Sequence, residues 1–306
     1  MIALGLILAI ISSVAFPGVI AITKAKFAGR KGPGLFQPLF DTVRLFRKGS
    51  IYSRTTSLVF QVAPVIYFAS VLVAIVFIPF GQVRGLLSFE GDFVFFAYVL
   101  AIGKFLMIIG AMDTGSGFEG MGANREALYS MLAEPAFFIL MGSIALLTKH
   151  TSFHDIYAHL YLNSYLSQLI VIVAIYLLGL IAMLENSRLP VDDPATHLEL
   201  TMVHEVMILD NSGFDMAIIH LATWLKFALY GALIANFMIP EHFALAGQIG
   251  IFLLTQILFA VAIGGLESFR ARNKMDKNAQ WILTLSAVSL IGFLTAMIIT
   301  NKFILN

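Results

Sequence analysis

Several ionisable side chains of this sequence lie inside, or at the ends of, long apolar stretches, where an unpaired charge is costly. Glu134 is surrounded by apolar residues in LYSMLAEPAFFILMGS, and Pro135 follows it directly. The other members of this set are Lys104, Glu185, Lys226 and Glu267. Such groups usually pair with one another or serve ion and proton pathways. We therefore expect a path of protonatable groups. In the plainer alternative, Glu134 pairs with a lysine on a neighbouring helix and only fixes packing.

An acidic segment, LENSRLPVDDPATHLELTMVHEVMILDNSGFD, contains seven carboxylates but one fixed cation, Arg188. Carboxylates near anionic lipid headgroups are repelled unless they are buried, protonated or paired. We expect Asp192, Glu199 and Glu205 to extend the path toward the surface. Arg188, together with Arg125 farther upstream, is expected to keep neighbouring carboxylates charged. The alternative is a solvated acidic face.

Local signals predict the structure around these groups. Asp193 and Pro194 form an N-cap and a first helical position, which predicts a helix over 194–209. His197 and His204 are about 10 Å apart along such a helix, so we predict no metal site. The glycine-rich string at 110–126 predicts a flexible loop, in which Asp113 is a further candidate for the path. Glu267 and Arg270, three residues apart, suit a pair at a helix end.

The first long polar segment, GRKGPGLFQPLFDTVRLFRKGS, combines a sharp turn with an amphipathic pattern. Glycines and a proline at 29–34 predict the turn. After Pro38, apolar and charged residues alternate at helical spacing, which predicts a short helix lying at the membrane interface. This segment is either a docking surface or a basic surface helix with no further role.

The overall composition requires a membrane. Hydrophobic residues make up 59% of the 306 residues and charged residues 12%, about half the usual share of a soluble domain. Stretches of about 20 apolar residues span a bilayer as helices. We predict an all-α integral membrane protein, a single domain over 1–306, whose first apolar run is a retained helix. The predicted spans are 2–23, 57–80, 93–112, 127–147, 166–184, 217–238, 248–266 and 279–299.

The distribution of basic residues predicts the orientation. Fourteen lysines and arginines fall in the connections on one side, at 24–56, 113–126, 185–216 and 267–278. The other side has only Arg84, Lys149 and Lys302. Basic connections face the cytoplasm, so we predict both termini outside and two long cytoplasmic loops with short amphipathic helices. The net charge of +1 gives no indication of nucleic-acid binding, and without cysteines the chain offers no thiolates for an iron–sulfur cluster.

Two of these segments resemble signatures of the NADH dehydrogenase subunit 1 family, the heel of the membrane arm of respiratory complex I. In the first loop the matching residues are Arg30, Gly32, Pro33, Gln37, Pro38, Asp41 and Leu45, with Arg44 in place of a lysine. In ENSRLPVDDPATHLEL they are Glu185, Arg188, Pro190, Asp192 and Glu199. Arg125 and Glu134 fit the family's arginine and intramembrane glutamate in the fourth span. The resemblance extends over nearly the whole chain.

Departures from the family pattern indicate a branch. Ala195 and His197 replace family glutamates, and THLELTMVHEVMILDNSG looks like the corresponding part of formate hydrogenlyase and other group 4 membrane-bound nickel–iron hydrogenases. The resemblance implies a membrane anchor and ion-coupling subunit without a catalytic centre of its own. It also implies an iron–sulfur subunit and hydrogenase-like large and small subunits, which carry the nickel–iron centre and clusters, and antiporter-like membrane partners. The docking residues would be Arg30, Lys31, Gly32, Pro33, Gln37, Pro38, Asp41 and Arg44.

The resemblance further implies the cytoplasmic membrane of a prokaryote. Two other functions stay open at this point. One is a quinone-binding heel subunit of an NADH:quinone oxidoreductase, and the other is an ion transporter acting alone. The sequence does not determine whether protons or sodium ions move, which electron donor serves the complex, or in which direction it turns over.

Overall fold

Eight helices of the computed structural model are long and apolar enough to cross a membrane, which confirms the predicted all-helical membrane architecture. The structure describes residues 2–81, 83–160, 165–193, 202–239 and 243–300. The long helices are α1 (Ile2–Phe27), α3 (Leu58–Ile75), α4 (Asp92–Asp113), α5 (Gly117–Thr148), α7 (Tyr165–Glu185), α9 (Gly213–Met238), α10 (Leu245–Phe269) and α11 (Met275–Ile299). Three short helices lie between them: α2 (Gln37–Phe46), α6 (Phe153–Ala158) and α8 (His204–Met207).

Helix α9 occupies the centre of the bundle, and nearly all of its residues are buried. It packs against α1, α3, α7 and α10, while α5 packs against α4, α7 and α11. Because successive long helices run in opposite directions, the C-terminal ends of α1, α4, α7 and α10 meet the N-terminal ends of α3, α5, α9 and α11. This shared end carries the first loop and the acidic segment, and we call it the basic end.

Helix α2 confirms the predicted short amphipathic helix in the first loop. Pro38 lies in its first turn, where proline is well tolerated because that backbone N–H has no helical partner. Phe40 and Val43 are exposed, whereas Phe46 packs edge-on against Phe214 at the start of α9. The Ser212 hydroxyl also accepts a hydrogen bond from the Ile51 backbone N–H, so the first loop is held against the entrance of α9.

The flexible loop predicted at 110–126 was wrong. Helix α4 runs to Asp113 and α5 begins at Gly117, so a three-residue turn replaces the loop. The glycines allow close packing instead: a Cβ on Gly122 would lie 2.8 Å from the Val203 carbonyl oxygen. Asp113 accepts a hydrogen bond from the Ser57 backbone N–H at 2.6 Å and thereby joins the end of α4 to the start of α3.

The helix predicted over 194–209 was also wrong in its described part, where only His204–Met207 is helical. The Asp192 carboxylate accepts hydrogen bonds from the Val203 and His204 backbone N–H groups, so the chain folds back onto Asp192. Residues 194–201 lie outside the described residues, and with them Glu199, Ala195 and His197. Helix α6 was missed because it is only six residues long.

Candidate functional site: a buried path of charged residues

Four charged side chains from four helices meet inside the bundle. Lys104 of α4 lies 3.0 Å from a Glu126 carboxylate oxygen and 2.9 Å from one of Glu185. Lys226 of α9 lies 2.7 Å from the same Glu185 oxygen and donates to the Glu185 backbone carbonyl. We call Glu126, Lys104, Glu185 and Lys226 the central cluster. Its two cations and two carboxylates balance, which offsets the cost of removing each from water.

The position of Lys226 explains why the central cluster is buried. It lies about 20 Å along α9 from the start of the helix, and its side chain is 0% exposed. Its ammonium also lies 5.6 Å from the centre of the Tyr67 ring, a favourable contact for a desolvated cation. A charge at this depth is stable only with partners, and Glu185 supplies both a carboxylate and a carbonyl.

Glu134 lies beside the central cluster but does not join it. It shares a mostly apolar lateral pocket with Lys104, Glu185 and Tyr230. Among the described residues, no side chain forms an ion pair or hydrogen bond with Glu134, and the residue is exposed at the surface of the bundle. The alternative in which Glu134 pairs with a lysine is therefore not seen, because Lys104 binds Glu126 and Glu185 instead.

On the other side of the central cluster, toward the basic end, lies a polar cavity of about 320 Å³. Its lining includes Arg188, Asp192, His204, Glu205 and His220. His204 also lines a small pocket together with Lys104, Glu126 and Glu185. This histidine therefore stands between the polar cavity and the central cluster.

Glu267 is held from two sides rather than by the helix-end pair expected with Arg270. Lys24 lies 3.0 Å from one carboxylate oxygen, and Arg188 lies 3.3 and 3.4 Å from the two oxygens. Arg270 instead lies over the Trp281 ring. Because the Glu267 side chain is 1% exposed, this triad joins the ends of α1 and α10 to the acidic segment.

The two arginines expected to keep carboxylates charged differ in what they bind. Arg188 pairs with Glu267, as described above. Arg125 donates to the Met202 backbone carbonyl at 2.9 Å and contacts the Met121 sulfur, so no carboxylate is its partner among the residues described. Arg272, which the sequence did not single out, lies 2.8 Å from Asp192 and takes the role expected of Arg125.

The structure leaves the predicted docking residues at the surface of the basic end. Gln37 and Arg44 both donate to the exposed Asp41 carboxylate, and Arg30 and Lys31 are exposed. Gly32 passes close to α1, where an added Cβ would lie 3.1 Å from the Ala25 Cβ. Across the described ranges, no three His, Cys, Asp or Glu side chains come close enough together to hold a metal ion.

Sequence reasoning missed Glu126 and Lys24 as well as Arg272. Glu126 was assigned to a loop, because the glycines before it concealed the first turns of α5. Lys24 lies in the last turn of α1, and only the packing of α1 against α10 brings it to Glu267.

Comparison with known proteins shows where this arrangement recurs. A sequence model of the family described as NADH dehydrogenase matches residues 1–299. Hydrogenase-4 component C of Escherichia coli is 25% identical over 292 residues, which cover 92% of this chain and 91% of the relative. Formate hydrogenlyase subunit 4 of the same organism is 24% identical over 266 residues, or 85% of this chain and 86% of the relative.

Two further similarities are more distant or narrower. A membrane-complex relative from Thermomicrobium roseum, a subunit of its NADH-quinone oxidoreductase, is 29% identical over 228 residues, which cover 68% of this chain and 65% of the relative. A chain in the solved structure of the membrane-bound sulfane sulfur reductase, an archaeal respiratory membrane complex, matches with a TM-score of 0.76. That match covers 95% of this chain and 98% of the other at 17% identity, so it shows a shared fold.

Proposed function

The chain belongs to the NADH dehydrogenase family, and from this membership we propose that it is the membrane anchor and ion-coupling subunit of a respiratory complex of the hydrogenase or formate hydrogenlyase type. The two Escherichia coli relatives support this branch, because each matches over more than four fifths of its length. The redox centres belong to partner subunits, since this chain has no cysteine to ligate an iron–sulfur cluster.

One observation carries the coupling role: protonatable groups follow one another from the basic end to the lateral surface. The path runs from Asp192 and Glu205 in the polar cavity, through His204, to the central cluster and then to Glu134. Ionisable groups at these depths are retained at a cost, which favours a function over packing alone.

Lys104 is the group through which charge changes reach Glu134. It is bound to Glu126 and Glu185 and lines the lateral pocket with Glu134. In our proposal, a proton arriving on Glu185 weakens its hold on Lys104, and the ammonium then turns toward the Glu134 carboxylate. A redox event in the docked arm thereby changes the charge state of a residue at the surface of the membrane bundle.

The exposed Glu134 supports the presence of a membrane partner. A carboxylate facing hydrocarbon without a partner is unfavourable. A neighbouring antiporter-like subunit that packs on this face would shield Glu134 and continue the path. On the same reasoning, the basic end faces the cytoplasm of a prokaryotic cell, and hydrogenase-like large and small subunits and an iron–sulfur subunit dock on its first loop.

A quinone-binding function is the second candidate, and the polar cavity favours it. Its volume of about 320 Å³ and its mixture of Ile208, Ile219 and Trp224 with His204 and His220 suit a small aromatic headgroup. The relative from Thermomicrobium roseum also supports this function. Inhibition of the complex by quinone-site ligands separates this function from the first. A transporter acting alone would move ions in liposomes without partners.

Gentle purification tests the proposal. The chain is tagged, extracted from its own membranes in a mild detergent, and assayed for bound nickel, bound iron and hydrogen evolution. We expect all three to accompany the chain. A preparation free of both metals and of partner subunits, at full recovery of the chain, would contradict the anchoring role.

A further inference from the structure

A depression at the basic end, away from the path of charged residues, has the features of a lipid site. It lies between the last turns of α1 and α10 and has a volume of about 390 Å³. Lys24, Phe27 and Arg30 line one side, and Ser268 and Phe269 line the other. The described residues that line it include no acidic side chain.

The apolar part of this depression is an exposed aromatic pair. Phe27 and Phe269 meet edge to face with ring centres 5.1 Å apart, yet they remain 54% and 80% exposed. The outward faces of the same two helices are apolar farther into the membrane, at Ile7, Ile11, Leu254, Leu258 and Val261. An acyl chain lying along α1 and α10 would therefore continue directly onto the two rings.

The charged part lies on the loop side of the rings. Arg30 is exposed, and Lys26 and Lys31 beside it are exposed as well. Lys24 is partly exposed, while its other side binds the buried Glu267. Basic pockets between transmembrane helices attract anionic headgroups, and each basic side chain contributes about 1 kcal/mol near the surface.

We propose that this depression binds one anionic phospholipid, with the phosphate at Arg30 and Lys24 and the first part of an acyl chain on Phe27 and Phe269. Charge complementarity selects the headgroup, and the continuous apolar faces of α1 and α10 select a lipid over a soluble phosphate. The assignment does not depend on the redox complex and stands or falls separately from the coupling role.

Native mass spectrometry of the full chain in mild detergent tests the assignment, with phosphatidylglycerol and phosphatidylcholine of identical acyl chains as probes. We expect phosphatidylglycerol to bind more tightly, and Arg30→Gln to weaken that binding about five-fold while leaving phosphatidylcholine unchanged. Phe269→Ala should weaken both lipids. Arg84→Gln and Tyr165→Ala, exposed positions at the other end of the bundle, serve as matched controls.

Three results would overturn the proposal. The first is equal affinity of wild type and Arg30→Gln for phosphatidylglycerol, and the second is equal affinity of wild type for the two lipids. The third is displacement of phosphatidylglycerol by an equal concentration of inorganic phosphate, which would identify a simple anion site. Lipid extraction from the gently purified complex gives an independent check, because Arg30→Gln should lower the phosphatidylglycerol that is retained.

Discussion

The Lys226 ammonium lies 2.7 Å from the Glu185 carboxylate and 3.0 Å from the Glu185 backbone carbonyl oxygen. This double contact joins the end of α7 to the middle of α9, the most buried helix of the bundle. The same carboxylate also binds Lys104, so Glu185 connects the two lysines. The stability of the bundle and the proposed charge path therefore share one residue.

Replacing Lys226 by methionine should destabilise the protein strongly. The change leaves two carboxylates facing one lysine in a buried site, a situation that costs about 3–5 kcal/mol. The variant should melt at a lower temperature in detergent, as measured by tryptophan fluorescence. The double variant Lys226→Met with Glu185→Gln should recover part of the loss, because no net charge remains buried. Additive losses in the two single variants and the double variant would contradict the pairing.

His204→Gln should slow ion movement while hydrogen evolution and assembly persist. Glutamine fills similar space and keeps hydrogen-bonding groups, but it cannot carry a proton between the polar cavity and the central cluster. His220→Gln is the matched control, since His220 lines only the polar cavity among the described pockets. Equal ion movement in wild type and His204→Gln would remove this histidine from the path.

Arg272→Gln should loosen the return of the acidic segment onto Asp192. The change removes an ion pair of 2.8 Å that fixes the carboxylate accepting from the Val203 and His204 N–H groups. Hydrogen exchange at residues 202–207 should rise, as measured by mass spectrometry. Arg270→Gln, two residues earlier and stacked on Trp281, should leave exchange there unchanged. Equal protection in both variants would contradict the role given to Arg272.

Arg44→Glu should weaken docking of the peripheral subunits. The Arg44 side chain is 72% exposed at the basic end and pairs only with Asp41 among the described residues, so the variant should fold normally. A reversed charge at an interface rim mainly slows association, here by about five-fold at low salt. Arg84→Glu, 67% exposed and paired with Asp155 at the opposite end, is the control. Docking rates by surface interferometry that fall equally in both variants would exclude a specific surface.

The sequence predicted the helices better than the contacts between their charged residues. Apolar length and basic asymmetry are properties of each stretch alone, so all eight spans and the short helix α2 were found. The partners of Lys104 and Glu267 come from helices distant in sequence, and no local pattern encodes them. The glycine-rich string misled because Gly122 serves a close helix contact rather than flexibility. Glu134 was placed correctly within its span, yet its lack of a partner among the described residues could be seen only in three dimensions.

The most direct test of the coupling claim is the ratio of ions moved to hydrogen evolved in inside-out membrane vesicles carrying Glu134→Gln. We predict that hydrogen evolution and subunit assembly stay close to wild type while ion movement falls severalfold. Glu90→Gln, an exposed glutamate at the other end of the bundle, should leave the ratio unchanged. An unchanged ratio in Glu134→Gln at wild-type expression would contradict the coupling role.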